Sequence, residues 1–361
     1  MHYAELKQAW SELTAPGQPF EIEEIEVRGN TIRNFKHAPP NIRAVWLSTV
    51  AFADRDYLVY DDERITYGQA HTRVNAIAAW LWAEGVRPGD RVAIAMRNYP
   101  EWMLLYWACV CIGVAAVGMN AWWVTEELEY ALKDSSPKVV FCDEERLARI
   151  LERPAMAEGA RLVVTRMEGP RKASCRSPRC WCAAATCPTS RSIPTPTPAS
   201  STPRAPRASQ GAQLTHRGCV ANLMNMGFSG QVQGLATLRA NGIDPASVPA
   251  PNPPVALLTT PLFHVTANNC GAYAVTAGGG KMVLMYKWDA GEALRLIEKE
   301  KVSAMSGVPV MSREVLTHPD FATTDTSSLL SLGGGGANSS PTWWPRSTRR
   351  SPPRGPTPAT A

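Results

Sequence analysis

A chain of 361 residues with 45% hydrophobic side chains can bury one large core or two moderate ones, and this composition excludes a disordered chain. The formal net charge of +5 does not indicate a nucleic-acid partner. Residues 171–210 and 338–361 supply eleven Lys/Arg and no Asp or Glu, which leaves 26 basic against 32 acidic residues elsewhere.

The predicted elements run as follows. The N-terminal MHYAELKQAW lacks the basic-then-apolar order of a secretory signal, so a cytoplasmic location is expected. Tyr57–Tyr60 and Arg64–Tyr67 flank Asp61-Asp62-Glu63 as a hairpin. Val74, Ile77, Ala78 and Leu81 recur at helical spacing between Gly68 and about Glu84, and Gly85 closes that helix. A strand is predicted over Arg91–Met96. A helix then runs from Pro100 to about Ile112, and a strand over Val114–Gly118. Thr125 is placed as the cap of a helix whose first turn carries Glu126 and Glu127. Lys138–Cys142 and Leu162–Thr165 are further strands.

Beyond residue 210, Cys219–Met226 is helical, Val255–Leu258 and Lys281–Met285 are strands, Ala290–Glu300 is an amphipathic helix and Val302–Met305 a strand. Alternating strands and helices predict an α/β fold of mostly parallel sheets flanked by helices. Met103–Met119 is uncharged over 17 residues, near the lower length of a membrane span, but Gly113 and Gly118 divide it into a buried helix and strand, and no transmembrane segment is expected.

Residues 171–210 and 338–361 are of a different kind. They hold 13 of the 30 prolines, and Ile193 is their only Ile, Leu or Val. Cys175, Cys180, Cys182 and Cys187 fall in the first of them, but C-x4-C-x-C-x4-C matches no common zinc arrangement, so no metal site is assigned. Gly278-Gly279-Gly280-Lys281 precedes a strand, whereas a phosphate loop follows one, so it is placed as a turn. Phe263-His264, directly after an apolar strand, fits either a packed turn or a catalytic position. Gly333-Gly334-Gly335-Gly336-Ala337 fits either a hinge or a close approach of backbone to a flat or anionic ligand.

Taken in order, these pieces resemble the adenylate-forming (AMP-binding) superfamily, specifically its fatty-acyl-CoA ligases. The motifs are Ile65-Thr66-Tyr67, the stretch Gly85–Val92, Arg97-Asn98, Glu126–Asp134, Gly211-Ala212-Gln213-Leu214-Thr215-His216, Pro261–Val265, Gly307-Val308-Pro309 and Gly333–Ala337. The resemblance implies the large N-terminal domain of that fold, in an incomplete form: 1–168 and 211–337 as its two α/β parts, 169–210 replacing the phosphate loop, 338–361 as a tail, and a C-terminal domain absent.

The superfamily's Tyr-Thr-Ser-Gly-Thr-Thr-Gly-x-Pro-Lys signature is missing, and Pro198–Gln210 stands in its place. Codons for those thirteen residues can be chosen so that a neighbouring reading register spells Gly-Ile-Phe-Tyr-Thr-Ser-Gly-Thr-Thr-Gly-Phe-Pro followed by a codon beginning with A, as Lys requires. The same offset from Pro341 permits Asp-Leu-Val-Ala-Lys-Ile-Asp, and at Ala359-Thr360-Ala361 it permits Tyr-Gly-Met-Thr, the start of the superfamily's next nucleotide motif. Both segments are therefore identified as out-of-frame, against the alternative of a Pro/Ser/Thr-rich linker and a basic tail.

The resemblance further implies activation of a fatty acid by ATP with Mg²⁺, then transfer to CoA. Phe263, His264, Gly307, Gly333, Gly334, Gly335, Gly336 and Ala337 would line the substrate and nucleotide pocket, and Gly211, Thr215 and His216 would be the remnant flank of the phosphate loop. Gln210 occupies the lysine's place, no catalytic residue is assigned as retained, and no resident metal site is assigned. Small-molecule partners (the fatty acid, ATP and CoA) are expected, together with a peripheral membrane contact. A non-catalytic nucleotide- or acyl-binding remnant and a ligase for another carboxylic acid are the alternatives.

Overall fold

A computed structural model describes residues 3–167 and 212–334. The chain opens with helix α1 (Tyr3–Leu13) and an antiparallel ribbon, β1 (Ile22–Val27) and β2 (Asn30–Phe35). Helix α2 (Ile42–Ser48) follows, its N-cap Asn41 Oδ1 accepting from Ala44 N at 2.9 Å. The predicted hairpin is present as β3 (Asp56–Tyr60) and β4 (Glu63–Thr66). Helix α3 (Tyr67–Ala83) starts where Thr66 Oγ1 accepts from Gln69 N and Gln69 Oε1 accepts from Thr66 N, a reciprocal cap.

There follow β5 (Arg91–Ala95), α4 (Pro100–Cys111), β6 (Ala115–Gly118), α5 (Thr125–Ser135), β7 (Val139–Cys142), α6 (Glu144–Glu152) and β8 (Arg161–Val164). Thr125, expected as a cap, is the first helical residue of α5. Val124 holds the cap position, its N–H donating to the Glu127 carboxylate at 3.1 Å, and the Thr125 hydroxyl donates to Glu152.

The second stretch contains α7 (His216–Ala240), β9 (Val255–Leu258), α8 (Tyr273–Ala277), β10 (Lys281–Leu284), α9 (Ala290–Glu300), β11 (Ala304–Gly307), α10 (Pro309–Thr317) and β12 (Ser331–Gly334). Two expectations change here. Helix α7 has 25 residues, far beyond Cys219–Met226, and Gly333 and Gly334 are strand residues rather than loop. The Gly278–Gly280 turn into β10 is as predicted. Cys175, Cys180, Cys182 and Cys187 lie outside the described residues.

β6-β5-β7-β8 form a wholly parallel four-stranded sheet. β12-β11-β9-β10-β3-β4 form a six-stranded sheet in which only β4 is antiparallel. Strands from both stretches therefore share one sheet. Helix α4 lies buried against both sheets, with eleven of its twelve residues inaccessible. That burial accounts for the apolar run Met103–Met119, and among the described residues no helix is long and apolar enough to cross a membrane. Trp46 and Trp107 stack at 5.2 Å between ring centroids at the centre of this core.

At the amino ends of the strands, Glu300 is 3% exposed and carries two cations, Arg64 at 2.5 Å and Lys281 at 2.7 Å. Burial would raise its pKa, but the hydrogen bonds from Lys281 and Arg64 outweigh it and hold the carboxyl below its ordinary value. A depressed folded-state pKa gives stability that is complete above the unfolded value near ~4.3 and is lost as pH falls through the folded one. Glu300→Gln is expected to lower unfolding free energy by about 2 kcal/mol at neutral pH. This is less than a fully buried pair would cost, because Arg64 is 43% exposed. Urea unfolding of wild type and variant should show that gap shrinking as pH drops below 4.

Candidate functional site

In open parallel sheets, ligands bind beyond the carboxyl ends of the strands, where the strand order reverses. Each sheet here has such a point. The chain passes from β9 to β10 on one side and then returns to β11 on the other, so the six-stranded sheet reverses between β9 and β11. In the four-stranded sheet the reversal falls between β5 and β7. Asn98, just past β5, ties the two together: its Nδ2 donates to Thr260 O at 2.9 Å and its Oδ1 accepts from Leu262 N at 2.8 Å. Asn98 is 7% exposed, and both its contacts lie in the loop that presents Phe263 and His264.

That loop is a turn closed by His264 N donating to Pro261 O at 2.9 Å. Phe263 packs on Gly118 at the end of β6, where an added Cβ would stand 3.2 Å from Phe263 Cα. Its ring meets the Trp122 ring edge-on at 5.4 Å. The Arg97 guanidinium lies over Trp122 at 5.2 Å and Tyr286 at 5.5 Å. His264 is exposed, with Nδ1 accepting from Thr266 N at 3.2 Å.

Gly307 ends the neighbouring β11. A Cβ there would lie 2.8 Å from both Met311 Sδ and Thr259 Oγ1, so a larger residue would have to displace both side chains. Thr259 Oγ1 donates to Ser306 O at 2.9 Å, and Ser312 Oγ donates to Gly333 O at 3.1 Å. Gly333 and Gly334 on β12 pair with Ser306 and Gly307. Phe263, His264, Gly307, Gly333 and Gly334 are thus gathered at the carboxyl ends of three adjacent strands. Gly335, Gly336, Ala337 and Gly211 lie outside the described residues.

Thr215 is the N-cap of α7, its Oγ1 accepting from Gly218 N at 3.1 Å. His216 is half-buried; burial lowers its pKa and favours the neutral ring, whose Nδ1 is buried without a partner. Asn222 Nδ2, two turns on, donates to Asn269 O at 3.1 Å, fixing α7 beside the turn that follows His264.

Among the described residues, two cavities are lined by none of Phe263, His264, Gly307 and Gly333. One, of about 410 Å³, is lined by Tyr99, Asp143, Glu144, Arg166 and Tyr286. In it Arg166 is bound at 2.8 Å by Glu101 and at 2.5 Å by Glu63. The other, of about 420 Å³, is lined by Arg55, Asp56, Pro254 and Lys281 near the amino ends of the strands. Neither is lined by a sequence-predicted site residue, and two segments assigned to the site, around 198–211 and 335–337, are outside the described residues. Asn98, Thr259 and Ser312 were not singled out as site residues from sequence. A Thr-Thr-Pro run directly after an apolar strand is the signal that could have found Thr259. Among the described residues no three His, Cys, Asp or Glu side chains group as metal ligands.

The family model of the AMP-binding enzymes matches residues 47–204 and 208–356. The chain belongs to the AMP-binding enzyme family. It is 30% identical over 282 residues to a feruloyl-CoA synthase of Amycolatopsis sp, covering 76% of this chain and 49% of that protein. It is 25% identical over 295 residues to the putative acyl-CoA synthetase YngI of Bacillus subtilis (strain 168), covering 77% and 53%. The inhibitor-bound N-terminal domain of FACL13 from Mycobacterium tuberculosis superposes with a TM-score of 0.65 at 22% identity, covering 84% of this chain and 71% of that one. The chain spans about half the length of the curated relatives it matches, and its fold is that of the N-terminal domain of adenylate-forming enzymes.

Because Asn98 supplies both hydrogen bonds between the two switch points, Asn98→Ala is expected to cost about 2 kcal/mol, near 1 kcal/mol per bond. Denaturant unfolding of the variant checks this.

Proposed function

We propose that the parent activity of this AMP-binding chain is ATP-dependent activation of a carboxylic acid, followed by transfer of the acyl group to CoA. A carboxylate oxygen attacks the α-phosphorus of ATP, the bond to pyrophosphate breaks, and the CoA sulfur then attacks the acyl carbon and releases AMP. The observation that carries the reading is the meeting of Phe263, His264, Gly307 and Gly333 at one switch point. The side-chain-free edge of Gly307 and Gly333 suits a flat adenine, and Phe263 suits the border between nucleotide and acyl group. In this reading 3–167 and 212–334 are two parts of one adenylation domain, working in the cytoplasm, where ATP and CoA are available.

The phosphates are a different matter. Their grip belongs to the segment where Pro198–Gln210 now stands, and Thr215 and His216 are its flank. The described residues group no ligands for Mg²⁺, so no step is routed through it. Transition-state stabilisation in such transfers comes largely from positioned donors, and losing a single one costs ~100–1000-fold in rate. The 361-residue chain itself is therefore inactive. Purified chain is expected to show no acid-dependent ATP–pyrophosphate exchange, and measurable exchange would overturn this half of the proposal.

The substrate class proposed from the sequence resemblance is a fatty acid. A second reading, an aryl acid, is favoured by the 30% identity to feruloyl-CoA synthase.

A further inference from the structure

The residues 248–254, Val-Pro-Ala-Pro-Asn-Pro-Pro, lead from the short 3₁₀ turn Pro245–Ser247 to the start of β9. Every one of them is restricted by proline. The rings of Pro249, Pro251, Pro253 and Pro254 fix φ at about −65°. Val248, Ala250 and Asn252 each precede a proline, which disfavours the helical region and leaves extended backbone. Val248 shows the result, at φ −89° and ψ 124°. A run built this way takes the extended polyproline helix, about 20 Å long over these residues at ~3.1 Å each.

The ridge is anchored at both ends and bare between them. Val248 N donates to Pro245 O at 3.3 Å, Pro254 O accepts from Lys281 N at 2.8 Å, and the Pro254 ring lies against Gly278 and Gly280. Residues 249–253 are all exposed, and among the described residues none of their backbone groups makes a hydrogen bond. Where the ridge meets β9, the cavity of about 420 Å³ joins Pro253 and Pro254 to Arg55. Arg55 is exposed and lies over the Phe52 ring at 4.8 Å. Among the described residues it has no carboxylate partner, since Asp56 is taken by Arg64 at 2.9 Å. Asp54 and the Glu300-bound Lys281 complete this rim.

We propose that 248–254 is a docking ridge for a partner protein whose groove is lined by Trp and Tyr side chains and carries a carboxylate at one end for Arg55. Proline rings pack on aromatic faces, bare carbonyls accept from Trp Nε1 and Tyr hydroxyl groups, and an unpaired guanidinium is met best by an acid. Because proline has already removed the ridge's freedom, docking orders little chain and a small contact suffices. The ridge lies at the amino end of β9, opposite the carboxyl ends where Phe263 and Gly307 stand, so docking leaves the proposed reaction untouched.

The test is calorimetric titration of the full 361-residue chain with an isolated SH3 domain, a module with such a groove. Prolines also gather at 194–206 and 352–358, so stoichiometry and variants identify the ridge. The number of SH3 domains bound per chain should fall by one in Pro249→Ala/Pro251→Ala. Arg55→Glu should weaken that one site about tenfold, the value of one charge-assisted hydrogen bond, and leave any others unchanged. Both prolines are exposed and bond nothing, so the urea midpoint of the double variant should match wild type. Unchanged stoichiometry, or no SH3 binding by wild type, would overturn the docking role. A dimer in sedimentation that the double variant abolishes would overturn the choice of partner, since the groove would then belong to a second copy of the chain.

Discussion

Replacing Pro198–Gln210 by Gly-Ile-Phe-Tyr-Thr-Ser-Gly-Thr-Thr-Gly-Phe-Pro-Lys, the neighbouring-register translation, is expected to tighten ATP binding to the 361-residue chain by at least ~100-fold. The present segment offers two arginines and three prolines, and a proline has no N–H to give. The replacement offers five hydroxyls, glycine amides free to approach a phosphate closely, and one ammonium. Charge-assisted hydrogen bonds contribute about 1.5 kcal/mol each at the lower end. Two of them already give ~100-fold, since every 1.4 kcal/mol is tenfold. Calorimetric titration with ATP checks it. A restored chain that binds ATP no better than the original would sink the register argument, because the sequence would then be present without its chemistry.

The strands and most of the helices were legible because their signals are local. Asp61, at φ 50°, makes the turn that the acidic tripeptide promised, and Gly85, at φ 80°, stops α3 where the periodicity ends. Helix α4 was legible through Pro100 at its start and Gly113 after its end. Helix α7 was legible only over Cys219–Met226, because Gly227, Gly230 and Gly234 interrupt any apolar stripe beyond it. It is held from outside, by α1 and by Phe228 packing on Trp10, Phe20 and Phe35. The ribbon β1–β2 was equally silent, since its Ile-Glu-Glu-Ile-Glu-Val does not alternate strictly.

The same division runs through the site. Phe263 and Gly333 stand out as a turn and a glycine run next to strands, whereas Gly307 is marked only by the family motif. Asn98 makes its two bonds 162 and 164 residues away, a pairing that no local pattern encodes. The π-helix Thr266–Ala272 was invisible for a related reason: its Asn269 bonds Asn222 and Cys219 of α7, 47 and 50 residues away.

Gly280→Ala is the substitution expected to damage the fold most. Gly280 stands at the entry to β10, where an added Cβ would lie 2.3 Å from Pro254 O and 2.8 Å from Pro254 Cγ. Neither atom belongs to a side chain that can swing away. Pro254 O is already bonded by Lys281 N, and Gly280's own carbonyl by the buried Tyr67 hydroxyl, both at 2.8 Å. Relieving the clash must therefore part β9 from β10 at their first rung and stretch both bonds. Overpacking of this kind costs about 1–3 kcal/mol, and one weakened buried hydrogen bond adds about 1 more, giving about 3 kcal/mol in all. Gly230→Ala supplies the opposite sign. That glycine is exposed in α7 with open space around its missing Cβ, so alanine there should stabilise by about 0.5–1 kcal/mol through helix propensity. Urea unfolding of the two variants side by side separates close approach from conformational cost. A loss below about 1 kcal/mol for Gly280→Ala would mean that β9 and β10 can part freely, and the switch point between β9 and β11 would then lack the rigid neighbour that a positioned nucleotide requires.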